Sequence, residues 1–118
     1  MADKKKAAVK TAIPQWCLEV LIDAPGQDEI DDVSRFLKEN HDARQLPNVA
    51  QAAAFSLIVR YPETGARHFG NDEIEMLTRR NASVIQDTLD MLPDVSKSLI
   101  ATFAAITGAK PLAKKAKP

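Results

Sequence analysis

A chain of 118 residues, 45% hydrophobic and 27% charged, has the size and balance of one ordinary globular domain. Its formal charge is zero, but residues 1–11 hold four lysines and one aspartate and residues 108–118 hold four lysines and no acid, which leaves residues 12–107 at −7. A body of that sign repels nucleic acid, which is bound largely through phosphate neutralisation by Lys and Arg, and no apolar run approaches the roughly 18 residues of a bilayer-crossing helix.

Residues 1–11 read as a disordered basic tail. Lysines stand there without the long apolar region of a signal peptide, so a cytosolic location is expected. The first ordered element is expected after Pro14. In "WCLEVLID", Trp16, Leu18, Val20 and Ile22 alternate with Cys17, Glu19, Leu21 and Asp23, a period of two that favours a half-buried strand over a short helix. Cys17 is the single cysteine, which excludes an intrachain disulfide, and is expected as a small buried hydrophobe.

After the break at Pro25 and Gly26, "QDEIDDVSRFLKEN" predicts a helix with Ile30, Val33 and Leu37 as its apolar stripe, flanked by Phe36. The carboxylates Asp28, Glu29, Asp31 and Asp32 resemble a metal cluster only in number. No His or Cys lies near them and no calcium-loop spacing is present, so they read as a solvated helix start favoured by the helix dipole. A connector with Pro47 leads to Asn48, a candidate N-cap. The uncharged run "VAQAAAFSLIV" then predicts a buried central helix over residues 48–60, although "SLIVRY" alone could pass for a strand.

"YPETG" is a turn, and Phe69 follows as one apolar anchor in a polar loop. "DEIEMLTRR" predicts a short amphipathic helix over 72–80, with Asp72 and Glu73 at its start and Arg79 and Arg80 at its end. "SVIQ" at 83–86 fits a capping box and predicts a helix over 84–92. Beyond Pro93, a last helix should run to Gly108 with Val95, Leu99, Phe103 and Ile106 in one stripe, widened by Ile100. Residues 108–118 read as a second disordered basic tail. The expected fold is therefore mainly α. It has four to five short helices around a central Ala-rich helix and one short N-terminal strand, in a single domain over 12–107.

Chemistry is harder to find. His41 and His68 fall in different loops without a metal-ligating companion, and His68 is expected at the surface. No nucleophile elbow, P-loop or dinucleotide fingerprint is present. We therefore expect no catalytic, cofactor-binding or metal residues, and no enzyme. Binding is the alternative. The two C-terminal segments hold more apolar residues than one small core needs, which makes Ile85, Leu89, Leu92, Leu99 and Phe103 candidates for a partner or self-association surface. A competing expectation is a small helical nucleic-acid-binding regulator using Arg79 and Arg80 on phosphates, against the charge of the body. A third is a hydrolase with His68 and nearby carboxylates in a cleft.

The segment "LIVRYPETGARHFGNDEIEMLTRRNASVIQDTLDML" resembles the tail assembly chaperones of long-tailed, lambda-like bacteriophages. The shared features are Val59 and Arg60 ending an apolar helix, Gly65 in the turn, and Phe69 beyond it. Asp72, Glu73, Ile74 and Leu77 then open one helix, and Ser83 stands near the start of the next. Upstream, "EVLIDAPGQDEIDDVSRFL" is similar to the family's opening segment, so the likeness covers roughly residues 18–100. "YPETG" departs from the acidic turn that is commoner in the family, and Pro93 interrupts the C-terminal helical region. The resemblance implies a small, mainly helical homo-oligomer without cofactors. It would coat the tape measure protein, recruit tail tube subunits in the host cytoplasm, and be absent from the mature virion. A longer product made by ribosomal frameshifting is implied too, with which Lys114 and Lys115 are compatible.

Overall fold

The computed structural model describes residues 9–108. The expectations for the remainder of the two basic tails lie outside those residues. Among the described residues the chain is mainly α, with six α-helices and one antiparallel sheet of order β1-β2-β3.

The centre is α3 (Val49–Ile58), in which every residue but Gln51 is buried. Its four alanines have little side chain, which allows α4 (Ile74–Leu77), α5 (Ala82–Leu89) and α6 (Pro93–Thr107) all to pack against it. α6 also packs on α1 (Gln27–Glu39), whose Val33 and Leu37 are fully buried. The short α2 (His41–Arg44) lies in the stretch expected to be only a connector.

The central helix ends two residues earlier than expected. Val59 turns extended, with φ −89° and ψ 119°, and β3 (Val59–Arg60) pairs with β2 (Leu18–Ile22). The strand-like character of "SLIVRY" thus prevails once β2 offers a ladder. At the other end Asn48 stands at the N-cap but caps differently from the expectation. It is left-handed at φ 61° and its side chain makes no capping bond, a conformation that asparagine tolerates better than most residues.

The N-terminal strand is joined by a partner that the sequence reading missed. β1 (Val9–Ile13) pairs with β2 in the register Val9↔Ile22, Thr11↔Val20 and Ile13↔Leu18, so residues 9–11 belong to the sheet and not to a disordered tail. Trp16 ends a 3-10 turn (Pro14–Trp16) between the strands instead of starting β2. Cys17 is exposed, contrary to expectation, because it closes that turn in the left-handed region at φ 54° with its N–H on the Pro14 carbonyl at 3.1 Å. A β-carbon there is strained by about 1–2 kcal/mol, partly offset in glycine by backbone entropy. Cys17→Gly is therefore expected to stabilise the domain by about 0.5–1 kcal/mol, read as a higher thermal midpoint.

The later helices also start where local caps dictate. Asn81, not Ser83, caps α5, accepting the Ser83 N–H at 2.9 Å. This side chain stands two residues before the expected box and reaches the same free donors first. Pro93 occupies the first turn of α6, where its missing N–H costs nothing. Gly108, at φ 75°, ends that helix with its N–H on the Ala104 carbonyl at 2.8 Å, as expected. The helix expected over 72–80 is shorter: a 3-10 turn (Asn71–Glu73), α4, and a final turn at 78–80.

Candidate functional site

Residues 57–71 and the start of α1 build a polar seam between α1 and the turn after β3. Arg60 is buried and forks onto Glu29, with its two terminal nitrogens donating to Oε1 at 2.9 Å and Oε2 at 2.8 Å. It also donates to the carbonyls of Gly65 at 2.7 Å and Leu57 at 2.9 Å. Glu29 is fixed from its own side as well, since Oε1 accepts the Gly26 N–H at 3.0 Å. The hydrogen bonds from Arg60 hold the Glu29 carboxyl below its ordinary value, against the opposing effect of burial. Beside it Arg67 donates to Asn71 Oδ1 at 3.0 Å and to the buried Ser56 hydroxyl at 3.2 Å, and Asn71 in turn donates to Asp32 at 2.9 Å. Burial pushes the Arg67 guanidinium down from its usual value.

These contacts give several residues of this segment a mechanical task. Gly65 adopts φ 74°, which lets its carbonyl meet Arg60 while its N–H returns to the Tyr61 carbonyl at 2.8 Å. Glu73 accepts the Gly70 N–H at 2.8 Å, repeating the Gly26–Glu29 arrangement at the next helix start. Phe69 is buried against Phe55 and Trp16, with ring centroids 5.7 and 6.4 Å away. Ile74 and Leu77 are fully buried. Glu29 and Asp32 therefore serve an ion-pair seam, and with Asp31 accepting from the Gln27 amide at 3.0 Å, three of the four carboxylates at the start of α1 are engaged instead of merely solvated.

His68 is half-buried, with its ring between those of Tyr61 at 4.5 Å and Phe69 at 4.7 Å. His41 opens α2 instead of lying in a loop, and is bonded to Arg44 and Gln45. The two arginines considered for phosphate contacts are both engaged: Arg79 pairs with Glu75 at 3.4 Å, and Arg80 lies 5.1 Å from the Trp16 ring centroid. Among the described residues no group of three or more His, Cys, Asp or Glu is placed to hold a metal ion, and no helix is long and apolar enough to cross a membrane.

The five residues expected to form a partner surface are in the core. Ile85, Leu89, Leu92, Leu99 and Phe103 expose at most 6% of their surface. The physical reason is α3: being apolar on almost every side, it needs apolar cover from several helices, and the inner faces of α5 and α6 supply it. The expected surplus is thus consumed by folding. What remains partly open is the flank, including Val95, Ile100 and Ile106 on α6, with Met91 exposed ahead of it.

Two clefts carry more of the open apolar surface. The first, of about 270 Å³, lies between the start of α3, the end of α4 and the start of α5. Ala52, Leu77 and Ile85 floor it, and Gln51, Thr78, Ser83 and Gln86 stand among its polar lining. The second, of about 290 Å³, separates Pro25 and Ile30 from Val95 and Leu99. Ile85 and Leu99 are therefore the candidates that still border an opening. The sequence did hold one signal for the first cleft: Gln51 is the single amide in "VAQAAAF", and it marks the one position of α3 that is not buried.

No protein-family model, curated protein or solved structure matches the chain.

Proposed function

We propose that this chain is a non-enzymatic tail assembly chaperone of a long-tailed bacteriophage. It binds the tape measure protein, recruits tail tube subunits and self-associates in the host cytoplasm, and it leaves before the virion is complete. The observation that carries the reading is the cleft at α3, α4 and α5, whose lining comes largely from the same segment, 57–92, that resembles the family. An apolar floor with an amide and hydroxyl rim accepts an apolar side chain from a helical client and leaves the client's polar backbone hydrated. Burying one such side chain contributes about 1.5–3 kcal/mol, so a single copy binds weakly. Many copies along one long client convert that into avidity.

The test is co-purification of the chain with an otherwise insoluble tape measure fragment. Ser83 is exposed at the cleft mouth, and its backbone N–H remains available to Asn81 whatever its side chain. Ser83→Trp is expected to fill the cleft and reduce client recovery about tenfold or more, with an unchanged circular dichroism spectrum. Undiminished recovery would remove the cleft from the proposal, and failure of the wild-type chain to retain any such client would remove the chaperone reading itself.

A further inference from the structure

Among the described residues the outer edge of β1 is unpaired, and its geometry fits a second copy of itself. The phase of the ladder follows from the Asp23 N–H, which donates to the Ile58 carbonyl at 3.0 Å and so directs the backbone of residues 21 and 23 towards β3. Antiparallel ladders alternate, so Leu18, Val20 and Ile22 face β1 and are met by Ile13, Thr11 and Val9. The N–H and C=O groups of Lys10 and Ala12 must then point away from the sheet. Among the described residues no backbone group meets them there. An open edge of this kind is a template for another strand.

Side chains favour the same conclusion. Val9, Thr11 and Ile13 share the face of the fully buried Val20 and Ile22, while Lys10 and Ala12 share the opposite face with Glu19 and Leu21. The core face is not closed at this edge. Val9 and Met91 are each 37% exposed, and a cleft of about 170 Å³ lined by Ile13, Val84, Thr88 and Met91 runs beside the strand.

We infer that two copies pair antiparallel through β1, about a two-fold axis at Thr11, to make one continuous six-stranded sheet. In that register Lys10 lies opposite the partner's Ala12, and each such pair can exchange both N–H···O bonds. Val9 then lies opposite the partner's Ile13, which extends the apolar face over the open cleft. Charge also matches. Ala12 is paired in register with Glu19, and strands lie about 4.8 Å apart. The Lys10 ammonium therefore reaches across the small side chain of the partner's Ala12 to the partner's Glu19. The inference deepens the self-association part of the proposed function and rests on that reading only for its choice of a second copy. Its test uses this chain alone, so client binding can succeed or fail independently.

The experiment is sedimentation velocity of the full chain over a wide concentration range. The wild type is expected to show a reversible monomer–dimer equilibrium. Ala12→Pro removes an outward N–H but leaves the bonds of Val9, Thr11 and Ile13 to β2, and proline is tolerated on an edge strand of this kind. It is expected to be monomeric with unchanged circular dichroism. Lys10→Glu and Glu19→Lys should each raise the dimer dissociation constant about tenfold, since both symmetric contacts become like-charge contacts. The double variant should restore wild-type association. A wild-type chain that stays monomeric at every concentration overturns the inference, as does a dimer indifferent to the charge swaps or not rescued by the double variant. Should Ala12→Pro fail to fold, the charge-swap set still decides, since Lys10 and Glu19 are exposed.

Discussion

Phe103→Asp is expected to unfold the domain, not to strip it of a binding partner. Phe103 has no exposed surface and belongs to α6, the helix that packs on both α3 and α1. Truncating a buried phenylalanine alone costs about 3–5 kcal/mol. An aspartate there adds either an unpaired buried charge or the work of protonating it, several kcal/mol more. A domain of this size has only about 5–15 kcal/mol in hand. Far-ultraviolet circular dichroism and amide dispersion in NMR should both collapse for Phe103→Asp, while Ala105→Asp on the exposed side of the same helix stays folded. A folded Phe103→Asp protein would show that α6 can swing outward and that its inner face is available to partners after all.

Arg60→Met should cost about 2–4 kcal/mol at about pH 7, lowering the thermal midpoint by roughly 15 °C. The variant keeps similar bulk but removes the fork onto Glu29 and leaves the carbonyls of Leu57 and Gly65 without their donor. The upper end for a broken buried pair does not apply, because the Glu29 side chain is 29% exposed and water can partly replace the guanidinium. The pH dependence has a definite sign. Glu29 has a lowered pKa in the folded state, so its contribution is present above its ordinary value of 4.5 and is lost as the pH falls through the folded value. The gap between wild type and Arg60→Met should therefore narrow as denaturation is repeated at successively lower pH, below about pH 4.5. A gap that holds constant through that range would mean that Arg60 acts through the two carbonyls and its packing, not through the ion pair.

The fold was legible where one residue type decides the matter locally. The uncharged alanine run produced the buried α3, Pro93 and Gly108 bounded α6, and the alternation from Leu18 to Ile22 produced β2. What escaped was settled by partners outside each segment. β1 is a strand because β2 has a free side, and Val59 leaves the helix because the other side of β2 is free too. Only the strand character of "SLIVRY" hinted at the second pairing, and Lys10 made the N-terminal segment look like an extension of the basic tail. The Arg60–Glu29 pair spans 31 residues and could not be read from spacing. The five candidate surface residues lie in the core for a related reason. Periodicity identified the apolar faces of α5 and α6 correctly but not how many such faces an all-round apolar α3 would consume. Gln51, by contrast, was a local clue to the open cleft.

The aromatic corner at Trp16 has a practical consequence. This is the chain's one tryptophan, set edge-on to Phe55 at 5.4 Å and beneath the Arg80 guanidinium, so its emission answers at once to the hairpin, the central helix and the stretch leading into α5. The lone thiol next door is exposed and can carry a dye. Nature has thus placed an intrinsic fluorophore and a labelling point on the same corner of the molecule. The proposed pairing of two copies could be followed by resonance energy transfer between differently labelled chains, without introducing any foreign residue.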